Sequence, residues 1–169
     1  MNNSSHNITF TRKLTLCGIM SALGVILSVV SIPLGPAKCY PFQHTINVIN
    51  GILLGPFWGL ASAFTTSLIR NLLGTGSLFA FPGSMFGVLL TGLTALLLPG
   101  RKKLLSAIAE PFGTGIIGAW VSAAIVAPAM GRETAFTFMS ASFLMSSIPG
   151  AILGIVVISA LVKRGNIKL

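Results

Sequence analysis

Five apolar runs, Leu14–Ile32, His44–Leu73, Leu78–Leu98, Ser106–Ala127 and Ala135–Val162, occupy most of the chain and leave little of it to face water. Only 8% of the residues are charged and 53% are hydrophobic, against about 25% charged in a soluble domain. The solvent for such a chain is a lipid bilayer. Its 169 residues suit one compact helical bundle rather than two domains. Arg12 and Lys13 ahead of the first run imitate a signal peptide. That run is long enough to span, and no small-x-small cleavage site follows it, so it reads as a retained first helix.

The second run is the ambiguous one. As a single helix it would be about 45 Å long, well beyond a ~30 Å hydrocarbon core. It carries Gly55-Pro56 near its middle, a turn signal and a helix breaker. Two shorter helices in a hairpin are the simpler reading, with a short first half that calls for tilt or local thinning. Basic residues favour the cytoplasmic side. Arg12 and Lys13, Arg101 to Lys103, and Lys163, Arg164 and Lys168 all fall on one side if residues 44–73 make a hairpin. Only Lys38, Arg70 and Arg132 then lie outside. A re-entrant hairpin gives the same sidedness. The expectation is an all-α integral membrane protein, a compact six-helix bundle with both termini cytoplasmic. Residues 1–13 form a polar tail, 14–162 a single transmembrane domain and 163–169 a basic tail.

The net charge of +9 does not point to nucleic acid. The basic residues sit at the ends of apolar runs, and no basic face or groove-reading motif is present. Cys17 and Cys39 form no CxxC motif or Cys/His cluster, so no metal site, disulfide framework or cofactor is indicated. There is no phosphate-binding loop, no HExxH and no Ser-His-Asp order, and Glu110 and Glu133 are the only acids. No catalytic residues are assigned, and the chain carries no ATPase of its own.

Polar side chains at membrane depth are costly unless they line a cavity, pair with each other or hold a ligand. His44, Asn47 and Asn50 recur every three to four residues and lie along one helix face. They read as a stripe that hydrogen-bonds a solute, or as interhelical hydrogen bonding. The preceding loop offers Tyr40 and Phe42 as ring-stacking lids. Arg70 and Asn71 precede the glycine-rich Gly74-Thr75-Gly76-Ser77, then Phe79, Phe81 and Ser84. Three roles stay open for Arg70: snorkelling to the interface, holding the loop through its carbonyls, or meeting the solute. Phe79 and Phe81 read as pocket lining or as lipid anchors. Glu110 starts the fifth helix by this reading, a turn or two above the cytoplasmic face. Pro111 suits an early helical turn, and the helix dipole favours a carboxylate there. Gly18 and Ala22 in the first helix are four apart, with Ser21 beside them. Small residues at this spacing admit another helix, either within the bundle or from a partner protein.

The segments AKCYPFQHTINVINGILLGP, RNLLGTGSLFAFPGS and EPFGTGIIGA resemble the ThiW family, over nearly all of the chain from Leu14 to Val162. These are substrate-binding S components of energy-coupling factor (ECF) vitamin transporters. CGIMSALGVILS is similar to the small-xxx-small signature of S components, with Gly18 where an alanine is usual. The resemblance implies six helices, cytoplasmic ends and a thiamine precursor, hydroxyethylthiazole, bound from outside. It also implies a transmembrane coupling protein and two cytoplasmic ATPase subunits as partners. Tyr40, Phe42, His44, Asn47, Phe79 and Phe81 are the expected surroundings of the ring. Arg70, Asn50, Asn71 and Ser84 are further polar candidates, and Glu110 is a hydrogen-bond acceptor for the hydroxyl if the cavity reaches that deep. The competing readings are an autonomous channel or facilitator for a small neutral solute, and a membrane enzyme or assembly factor.

Overall fold

A computed structural model describes residues 9–34, 37–167 and 169. Among the described residues six helical elements follow one another: α1 (Phe10–Leu27), α2 (Pro41–Leu54), α3 (Pro56–Leu72), α4 (Ala80–Leu97), α5 (Gly100–Ala129) and α6 (Phe136–Lys163). Four of them, α1, α4, α5 and α6, are long and apolar enough to cross a membrane. The expected N-terminal tail falls, for residues 1–8, outside the described residues, and α1 takes in Arg12 and Lys13. Two short strands, β1 (Ile32–Leu34) and β2 (Ala37–Cys39), pair antiparallel between α1 and α2, with Pro33 opposite Lys38.

The second apolar run is a helical hairpin, as its turn signal requires. Gly55 takes a positive φ of 82° and Pro56 opens α3. A left-handed backbone favours glycine, and proline suits the first helical turn because its missing N–H needs no partner there. With 14 residues, α2 is about 21 Å long and falls short of a ~30 Å hydrocarbon core. It is buried on nearly every side rather than on one face, so other helices and not lipid surround it. A helix enclosed in this way need not match the bilayer.

Two ends of the bundle can be told apart by their contacts. Phe10, at the start of α1, meets Trp58 just beyond the α2–α3 turn, edge to face at 5.4 Å between centroids. Val48, Ile49 and Ile52 of α2 pack with Ala95, Ala107 and Ile158, and Leu104, Val162, Ile167 and Leu169 close over them. The start of α1, the α2–α3 turn, the α4–α5 turn and the end of α6 therefore share one end. The strand pair and the α3–α4 and α5–α6 connections lie at the other.

The helix α5 departs from the sequence reading. It is helical from Gly100, opening as a 3-10 segment over Gly100–Ile108 and continuing through two π-helical stretches, Gly113–Gly118 and Ser122–Val126. Glu110 lies well inside this helix, fully buried, and not at its start. The helix-dipole explanation for the carboxylate therefore falls away, since that effect fades beyond the first turn.

Candidate functional site

A cavity of about 440 Å³ opens among the strand pair, α2, α3, α4 and α6. Its floor is the start of α2, where Gln43 and His44 face into it. Phe79, Ala80, Gly83 and Ser84 come from the start of α4. One stripe of α6, Met139, Ser142, Phe143 and Ser146, forms the opposite wall at helical spacing, with Phe138 beside it. Lys38, Ser77, Arg132 and Thr134 ring the mouth. The lining is thus aromatic and apolar with a few oriented polar groups, the usual make-up of a small-molecule site.

Beneath the floor lies a buried polar network. Glu110 Oε1 is 2.7 Å from His44 Nδ1, 3.3 Å from Asn47 Nδ2 and 3.0 Å from Thr114 Oγ1. Asn47 and Thr114 donate to the carboxylate, and Thr114 Oγ1 also lies 2.8 Å from the Gly83 carbonyl. Gly87 makes room for this cluster: a Cβ there would stand 2.6 Å from Glu110 Oε1. A buried carboxylate is tolerated when several donors meet it. The arrangement fixes the imidazole of His44, a residue of the cavity lining, through Nδ1. Glu110 Oε2 has no partner among the described residues.

A second network holds the side wall. Arg70 is 1% exposed, so it does not snorkel. One guanidinium nitrogen donates to Gln43 Oε1, and another donates to the Thr75 carbonyl at 3.4 Å. Gln43 in turn donates to Ser84 Oγ. The guanidinium carbon stands 4.4 Å from the centroid of the Tyr40 ring, in cation–π contact. Arg70 therefore both ties down the glycine-rich loop and lines the cavity.

The chain matches the family model described as thiamine-precursor transporter protein (ThiW) over residues 14–164. The chain belongs to the ThiW family. No curated protein matches it. It is accordingly a multi-pass membrane transporter of a thiamine precursor and not an enzyme.

Not every residue proposed for the ThiW site from sequence meets the cavity. Tyr40, His44, Arg70, Phe79 and Ser84 line it. Asn47 and Glu110 stand behind His44 and act through it. Asn50 is deeper still, donating to Ser62 Oγ at 2.9 Å. Asn71 braces the glycine-rich loop through the Ser67 and Ser77 carbonyls, at 2.8 and 3.1 Å. Phe81 packs on Phe64, with centroids 5.6 Å apart, away from the lining. Phe42 is half-buried and also off the lining. On α1, Gly18 and Ala22 are exposed, whereas Ser21 faces inward and bonds Ser62 Oγ at 3.1 Å.

The sequence reading missed Gln43 and the whole α6 wall. A signal was present. Gln43 stands four residues before Asn47, on the same helix face. Ser142 and Ser146 are four apart in an otherwise apolar run, and Gly150 and Gly154 extend that stripe where α6 closes on α2.

Proposed function

We propose that the chain is the substrate-binding S component of an ECF-type transporter and that the cavity holds hydroxyethylthiazole. The observation that carries this reading is the cavity itself, which has an aromatic wall and a floor imidazole held in place by a buried carboxylate. Phe79, Phe138, Phe143 and Tyr40 supply faces and edges for a small heteroaromatic ring. His44 and Ser84 supply oriented hydrogen bonds, and a site built from fixed polar groups discriminates strongly against solutes that leave those groups unpaired. Arg101 to Lys103, Lys163 and Arg164 sit at the end of the bundle away from the cavity. The positive-inside rule then turns the cavity mouth outward and both termini to the cytoplasm.

Transport in this reading is driven by partners, a transmembrane coupling protein and two cytoplasmic ATPase subunits. The exposed Gly18 and Ala22 offer the coupling protein a face on which helices can approach closely. The test has two parts. Calorimetry of the purified chain with hydroxyethylthiazole, intact thiamine and the pyrimidine precursor should give saturable binding of the thiazole alone. Uptake into liposomes should need the coupling protein, the ATPases and ATP. Uptake by the chain alone would instead establish a facilitator.

A further inference from the structure

The cavity is electrostatically lopsided. Lys38, Arg70 and Arg132 line it, and among the described residues no carboxylate does. Glu110 lies under the floor, committed to His44, Asn47 and Thr114. Glu133 stands between Arg132 and Thr134 in sequence, yet it is absent from the lining while both neighbours take part in it.

Arg70 is the telling group. It is 1% exposed and makes no salt bridge among the described residues, where the one ion pair is His44 with Glu110. Its hydrogen-bond partners, the Gln43 amide oxygen and the Thr75 carbonyl, are neutral, and its Nε has no partner. A buried cation without a counter-charge is costly. The Tyr40 ring offsets only part of that cost, since a cation–π contact is weaker than an ion pair with a buried counter-charge. Arg70 lines the cavity, and a guanidinium placed there is suited to an anionic oxygen, which it binds more strongly than a neutral one. Lys38 and Arg132 at the mouth add a field of the same sign, and a cleft lined by one sign of charge concentrates the opposite one.

We propose that the ligand carries an anionic substituent on its heteroaromatic ring, the phosphate monoester or a carboxylate of the thiazole, with the anion at Arg70 and the ring against Phe79 and Phe143. This rests on the thiazole reading and sharpens it. The same field disfavours intact thiamine, which is a cation.

Calorimetry on the purified full chain would compare hydroxyethylthiazole, its phosphate monoester and the carboxymethyl analogue. The proposal expects at least one of the two anions to bind about tenfold or more tightly than the alcohol, with an advantage that shrinks as salt rises. Arg70→Gln should remove that advantage. Because Arg70 also packs on Tyr40 and Gln43, Lys38→Gln and Arg132→Gln carry the same test at the mouth, each reducing the anion's advantage severalfold. An alcohol that binds as tightly as both anions, or more tightly, overturns the proposal and leaves the thiazole reading standing. Binding of none of the three overturns both.

Discussion

Replacing His44 by alanine removes the one floor group whose orientation is fixed from below. Leaving a buried polar group of the solute without its partner costs about 1–3 kcal/mol, so thiazole affinity should fall about 5- to 150-fold. The same change strands the Glu110 carboxylate with fewer donors, and the thermal midpoint should drop, because a buried charge that loses its partner is destabilising. Combining His44→Ala with Glu110→Gln should restore much of that midpoint without restoring binding. Glu110→Gln alone keeps an acceptor for His44 and places an amide nitrogen where Oε2 now has no partner. It should fold, and it should weaken binding less than His44→Ala does. Calorimetry and thermal melts on the set separate the two roles. If affinity survived in His44→Ala, the imidazole would not be part of the site.

Two glycines on α1 distinguish packing from docking. A Cβ at Gly24 would stand 2.9 Å from Thr66 Cγ2, whereas Gly18 has open space beyond it. Gly24→Leu should therefore lower thermal stability by prying α1 from α3, with a cost of about 1–3 kcal/mol typical of overpacking. Gly18→Leu should leave stability and binding intact and abolish ATP-driven uptake in the reconstituted complex. Undiminished uptake would show that this face meets only lipid. The elements differ in how legible they were. The α2–α3 hairpin could be read because Gly55-Pro56 breaks any helix and the basic clusters demanded an extra crossing. The start of α5 could not. Arg101 to Lys103 resemble a loop, and Pro111 beside Glu110 imitates a first turn, but tertiary packing continues the helix through 3-10 and π geometry. On the site, α2 announced itself because His and Asn are rare in an apolar run. The α6 wall stayed hidden because Ser and Phe are ordinary in membrane helices, and only its packing against α2 reveals which face they occupy.

At the scale of the whole molecule, the cavity and the basic clusters occupy opposite ends, so one orientation decides the direction of capture. Thr75 lies in the glycine-rich loop at the cavity end, and Lys102 lies at the other, in the first turn of α5. Both are exposed. Single-cysteine variants Thr75→Cys and Lys102→Cys, with Cys17 and Cys39 replaced by serine or alanine, put this to a direct test in intact cells. A membrane-impermeant thiol reagent should label Thr75→Cys from outside and reach Lys102→Cys only after the membrane is opened. Thiazole binding should slow labelling at Thr75→Cys, because Arg70 ties that loop to the cavity wall through the Thr75 carbonyl. The reverse labelling pattern would place the cavity toward the cytoplasm, and capture of an external solute at this site would then be ruled out.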